Sequence, residues 1–136
     1  MKEERGKRIL SGGDVMQKAH KKLKAWQEAI ELHERIYTIT AKLPQDEKFG
    51  LAQQMKRAAV SIPSNIAEGA SHQGNKDSIQ FYIIARSSLS ELDTQIEICK
   101  KIHFITEEHF LEIETQMDKV DSLLSGLIRF KRNANS

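Results

Sequence analysis

The stretch from Phe49 to Ala70, FGLAQQMKRAAVSIPSNIAEGA, constrains the fold more than any other. Leu51, Met55, Ala58, Ile62, Asn65 and Gly69 recur in it at 4-3-4-3-4 spacing, the signature of one helix face laid along a bundle seam. Ala52, Ala59 and Ala70 flank that face with side chains small enough for a neighbouring helix to approach closely. Pro63 falls inside the run, where it removes one backbone N–H and crowds the carbonyl of Ala59. A helix kinked at Pro63 and packed on both sides is therefore expected, with Ser61, Ser64 and Asn65 available to bond backbone groups near the kink, and with Asn65 and Glu68 spaced as a capping pair for a restarted helix.

The remaining segments supply partners for this helix. Leu23, Trp26, Ile30, Tyr37 and Leu43, with His33 and Thr40 filling the same stripe, predict a first helix over about 21–42, ended by Pro44. Asp46 and Glu47 suit the first turn of the second helix, over about 46–70. Asn75 or Asp77 can cap a third over about 76–103, whose face is Ile79, Ile83, Leu89, Leu92, Ile96, Cys99 and Ile102, broadened by Phe81, Ile84 and Ile98. Thr106 caps a fourth over about 107–131, with Phe110, Ile113, Met117, Val120, Leu124 and Leu127 in register. Four long helices joined by short links predict an all-α fold, an antiparallel up-down-up-down four-helix bundle. Val60, Leu111, Leu123, Ile128 and Phe130 lie off these seams, and a bundle that left them exposed would favour self-association.

With 136 residues, 39% hydrophobic and 6% aromatic, the chain suits one helical domain. Its net charge of +2 is uneven. Residues 1–24 hold eight Lys/Arg and three acids, which leaves the rest of the chain at −3. Residues 1–20, with Ser11-Gly12-Gly13 and little apolar material, read as a basic tail without fixed structure of its own, and 133–136 as a C-terminal tail. The single Cys99 excludes an intramolecular disulfide and a cysteine-based metal cluster, and fits a reducing, cytoplasmic setting. No apolar run has the length of a membrane span or of a signal-peptide core.

Catalytic patterns find little support. No Glu is followed by His three residues later, so the carboxylate–histidine signature of a bundle-core metal site is missing; Glu68 and His72, four apart, suit a surface pair. Ser61, Ser64, Ser87, Ser88 and Ser90 lie in no nucleophile motif, Cys99 sits on an apolar face, and His20, His33, His72, His103 and His109 are scattered. The glycines lack the Lys-Ser/Thr of a phosphate loop. Neither a metal nor a cofactor is expected, and an enzymatic role resting on Asn65, Glu68 and Glu91 ranks last. Asn65, Glu68, Arg86 and Glu91 are expected to form a buried structural polar cluster that fixes helix register, with Arg57 as a further partner. The cations Lys21, Lys22, Lys24, Lys56, Arg57, Lys100, Lys101, Arg129, Lys131 and Arg132 are the candidate nucleic-acid-binding set, against a reading of each pair as a solvated helix face.

LAQQMKRAAVSIPSNIAEG (Leu51 to Gly69), LKAWQEAIEL (Leu23 to Leu32) and FYIIARSSLSELDTQIEI (Phe81 to Ile98) together resemble a four-helix-bundle family encoded in intervening sequences of bacterial large-subunit ribosomal RNA genes. The resemblance spans about Leu23 to Phe130, and SIPSNIAEG is its most specific part. It implies a ring-like homopentamer without enzymatic activity. It further implies a fold shared with the accessory variability determinant proteins of diversity-generating retroelements, which bind a reverse transcriptase and nucleic acid. Ser87 departs from the glycine common there, and the basic leader is longer than usual. The expectation is a non-enzymatic oligomer that binds RNA or DNA, with a reverse transcriptase as a possible protein partner; the alternative is a protein-interaction scaffold without nucleic-acid contact.

Overall fold

The computed structural model describes Lys7–Ile9, Val15–Gln17, 19–47 and 50–134. Four helices make up the body: α1 Lys24–Thr40, α2 Leu51–Ser71, α3 Asn75–Lys101 and α4 Glu107–Ala134. Each packs on its neighbours in chain order, and α1 also packs on α4, which closes an antiparallel four-helix bundle. Ahead of it, β1 (Lys7–Ile9) pairs antiparallel with β2 (Val15–Gln17), Arg8 opposite Met16, and a 3-10 turn at Ala19–Lys22 packs on α1 and α2. The expectation that residues 1–20 lack fixed structure thus does not hold for these strands and this turn.

In α1 the buried stripe is Ala25, Ala29, Leu32, Ile36 and Ile39. Of the residues expected there, Thr40 and Leu43 are buried, but Trp26, Ile30, His33 and Tyr37 fall one position away from the stripe. Trp26 and His33 are half-buried, as is Leu23 ahead of the helix, while Ile30 and Tyr37 are 40% and 50% exposed. The two alanines explain the shift. Their small side chains let α1 close on the bundle, which leaves the bulky flank at the edge of the α1–α2 interface.

Helix α2 buries Met55, Ala58, Ile62, Ile66 and Gly69 and continues unbroken through the buried Pro63. No second start occurs, so Asn65 is not a cap. Its expected acidic first turn is also absent, because Gln45–Glu47 forms a separate 3-10 turn before Gly50. At the other end, a Cβ on Gly69 would come within 2.5 Å of Cε1 of the Tyr82 ring. Glycine is what lets that buried ring lie against the helix. The Ser78 hydroxyl donates to the Gly69 carbonyl at 2.7 Å, satisfying a group that the end of α2 leaves open.

The core face of α3 is Ser78, Tyr82, Ala85, Leu89, Leu92, Ile96 and Cys99, an uninterrupted 4-3-4-3-4-3 series. The sequence face is right from Leu89 to Cys99 and one residue out at Ile79 and Ile83, which are half-buried; Ile84, Ile98 and Ile102 are exposed. Neither Asn75 nor Asp77 caps this helix, whose cap residue Gly74 has no side-chain bond. After α3 the chain turns at His103, with φ of 63°, and the Phe104 N–H reaches back to the Cys99 carbonyl at 2.8 Å. That pattern closes a helix end through a left-handed residue. Thr106 Oγ1 then accepts from the His109 N–H at 3.1 Å, the expected cap of α4. Helix α4 buries Phe110, Ile113, Met117, Val120 and Leu124 as the spacing predicts, and Ile128 as well, which corrects its reading as a surplus residue.

Candidate functional site

The polar cluster in the α2–α3 seam differs from the expected one. Asn65 Nδ2 donates to the Ser61 carbonyl at 2.9 Å and to Ser61 Oγ at 3.0 Å, and Ser61 Oγ lies 2.8 Å from Ser88 Oγ. All three side chains are half-buried and neutral. Glu68 instead faces outward, 3.7 Å from His72 across one helix turn; Glu91 and Arg57 are exposed and Arg86 is half-buried. Charged groups avoid the seam because burying a carboxylate costs far more than burying a hydroxyl pair that satisfies itself. Ser61, expected from the sequence to bond backbone near Pro63, and Ser88, which lies in no sequence motif, are the members that join the two helices. Cys99 is buried, its thiol 3.7 Å from Met55 Sδ, and burial pushes it above its ordinary pKa, away from the reactive thiolate.

A second network ties α1 to α4. Gln116 Nε2 donates to the Glu28 carbonyl oxygen at 2.9 Å and to its Oε1 at 2.8 Å, with Lys24 Nζ at 3.3 Å and Lys119 Nζ at 3.7 Å from the carboxylate. The Gln116 hydrogen bond, helped by the two lysines, holds the Glu28 carboxyl below its ordinary pKa in spite of partial burial. Between α3 and α4, Asp93, Asp118 and Asp121 line a groove with Leu89, Ser90 and Met117. Desolvation, then Glu97 and Asp118, raise the Asp93 carboxyl. Among the described residues no set of three His, Cys, Asp or Glu is arranged to hold a metal ion.

The ten candidate cations divide between the two ends of the bundle. Lys56 and Arg57, near the start of α2, and Lys100 and Lys101, at the end of α3, belong to one end. There Lys56 Nζ sits 5.3 Å from the Tyr37 ring centre, and Lys100 Nζ lies 4.1 Å from the Phe110 ring centre and 3.9 Å from Glu107. Lys21, Lys22 and Lys24, before and at the start of α1, share the opposite end with Arg129, Lys131 and Arg132 of α4. Lys21, Lys22, Lys24, Arg129 and Arg132 are exposed and Lys131 is half-buried. Residues 19–24 and 129–134 carry no carboxylate at all. With 68–77, which the fold brings to the same end, the count is seven Lys/Arg, Lys76 included, against Glu68 and Asp77, or +5. At the other end, 40–47 and 98–108 hold Lys42, Lys100 and Lys101 against Asp46, Glu47, Glu107 and Glu108, or −1, and Lys56 with Arg57 bring it to +1. Lys76 escaped the sequence reading because only the fold brings the α2–α3 link beside the other cations.

Apolar surface is left in two kinds of place. An open groove of about 260 Å³ runs between α1 and α2, lined by Trp26, Ile30, His33, Val60, Pro63, Ser64 and Ala67. Elsewhere Leu111 is 50% exposed and Phe130 65%, as expected for residues off the seams, while Leu123 is half-buried.

The fold and these surfaces define a helical-bundle protein that offers a basic end and an apolar flank. The chain belongs to the 23S rRNA-intervening sequence protein family, whose profile matches residues 21–126. A crystal structure from Bacteroides thetaiotaomicron, described as a protein with unknown function from the S23 ribosomal protein family, is similar over 77% of this chain and 95% of its own, with 25% identity and a TM-score of 0.72. No curated protein matches the chain. No helix among the described residues is long and apolar enough to cross a membrane.

Proposed function

We propose that this protein is a non-enzymatic, self-assembling nucleic-acid-binding protein that contacts phosphates through the end of the bundle where α1 begins and α4 finishes. The observation that carries the reading is the +5 balance there, +4 once Glu28, which pairs with Lys24 at 3.3 Å, is counted, with no carboxylate in 19–24 or 129–134. Phosphate binding needs cations gathered on one surface, and their charge must not be spent on neighbouring acids. The family's name, which refers to an intervening sequence of 23S rRNA, supports RNA as the nucleic acid. Assembly, as the homopentamer that the family resemblance implies, would present the basic end several times on one particle and turn weak contacts into avidity. Exposed Ile30, Tyr37, Val60, Ile84, Ile98 and Ile102 are the apolar surface such an assembly would cover.

The test is a filter-binding titration of RNA and DNA across a salt series, with the particle mass measured by light scattering. Retention that falls steeply with salt supports the reading; no retention of either nucleic acid at low salt overturns it, and a monomer overturns the assembly. The α1–α2 groove favours a second reading, a scaffold that docks a protein partner on apolar surface. Binding through that groove would change little with salt.

A further inference from the structure

We infer that the basic end takes unpaired nucleotides of a single-stranded nucleic acid, and that Phe130 is the platform on which a base stacks; this rests on the nucleic-acid reading above. Phe130 is the most exposed of the large hydrophobic residues among those described, at 65%. It stands about 200° around α4 from the buried Ile128, so its ring is directed away from the core by the helix itself. Arg129 and Lys131 flank it at about 100° to either side, and Arg132 follows. Ile30, Tyr37, Val60, Ile84, Ile98, Ile102 and Leu111 are also exposed, yet none of them has a cation on both sides in the chain.

An aromatic face set among cations is the arrangement that single strands use. The ring accepts any unstacked base on its π-face while the cations meet the phosphates. A duplex keeps its bases stacked and paired, so it would feel only the charge and leave the ring idle. The same end therefore distinguishes single from double strands, through Phe130 alone.

The experiment measures binding of the full chain to a short labelled single strand, as RNA and as DNA, and to the matching duplexes, by fluorescence anisotropy at low salt. Phe130→Ala is expected to weaken single-strand binding about 5- to 100-fold and to leave duplex binding within about twofold, while Phe130→Trp retains both. Because the ring is exposed, the variants should keep the wild-type circular dichroism. The joint variant Arg129→Gln, Lys131→Gln, Arg132→Gln should weaken single strands and duplexes alike. If that variant does so while Phe130→Ala changes nothing, the stacking role is overturned and the nucleic-acid reading stands. If the wild type binds neither form, both fall. A change of particle mass on Phe130→Ala would assign the ring to a contact between copies and overturn the proposal.

Discussion

The two ends of the bundle are built from similar residues and differ in net charge, +5 where α1 begins and α4 finishes against +1 where α1 ends and α3 ends. Where α1 ends and α3 ends, lysines are held by their own fold: Lys100 lies over Phe110 and beside Glu107, and Lys56 over Tyr37. A cation spent on a ring and a carboxylate has already lost part of its hydration and has less to give a phosphate. Where α1 begins and α4 finishes, Lys24 is likewise held by Glu28 at 3.3 Å, but Arg129 and Arg132 are exposed and 129–134 contains no acid. The difference shows that counting Lys-Lys and Lys-Arg pairs along a chain does not tell which of them the fold leaves unpaired. What decides it is which acids and rings the fold brings beside each pair, about 40 Å apart at the two ends of α4.

The largest effect should come from neutralising one end at a time. Replacing Arg129, Lys131 and Arg132 by Gln should lower the slope of log affinity against log salt by about 2 to 3, because each lost phosphate contact removes close to one released counterion. Lys100→Gln with Lys101→Gln should leave that slope unchanged. Equal losses from the two sets, measured in the same salt titration, would erase the distinction between the ends.

The next effect is structural and belongs to the basic end alone. Gly69 holds α2 against α3 there, with Tyr82 filling the space a Cβ would need. Gly69→Val should destabilise the bundle by about 1 to 3 kcal/mol through overpacking, seen as a lower Tm. Gly69→Ala gains up to about 1 kcal/mol of helix propensity, so its smaller loss measures how far the Tyr82 ring can retreat. A Tm raised by Gly69→Ala would mean that the ring moves freely.

These contacts explain which parts of the fold could be read from the sequence. Helix α4 carries one apolar stripe with few rivals beside it, so Phe110 to Leu124 were identifiable by spacing. In α1 two stripes compete, and the larger residues Trp26, Ile30 and Tyr37 outweigh Ala25 and Ala29 on any hydrophobicity count. Packing selects the alanines because they permit the closer approach, which is a property of the neighbouring helix. The run Phe81-Tyr82-Ile83-Ile84 offers four adjacent apolar choices, and the notch at Gly69 decides for Tyr82. The same limit governs the sites. The cation segments were visible, but their neutralisation at one end depends on Phe110 and Glu107, which lie beyond the turn at His103. Glu68 and Glu91 were misplaced because a helix-period pattern marks a stripe and not the depth of its edges.

The seam between the ends gives a smaller test. Asn65→Ala removes two hydrogen bonds to Ser61 and should cost about 1 kcal/mol. Glu91→Ala, at an exposed position, should stay within about 0.5 kcal/mol of wild type. Equal costs in thermal melting would restore a charged cluster that includes Glu91.

The smallest expected effect is a pH dependence confined to the link that holds the basic segments together. Glu28 joins α1 to Gln116 and Lys119 of α4, and its carboxyl titrates below the ordinary value of 4.5 in the folded protein. An acid whose pKa is depressed by folding contributes stability that is fully present above its unfolded value and is lost as pH falls through the folded one. Wild type should therefore lose a small increment of stability as pH falls below about 4.5, and Glu28→Gln should lose less over the same window, since it has no proton to gain. Amide hydrogen exchange locates the loss. Faster exchange on acidification should appear first in the opening turns of α1 and the part of α4 beyond Gln116, where the two strands of basic charge are held side by side. Exchange that rises first at the Lys100–Glu107 end would place the acid-sensitive link at the wrong end of the molecule.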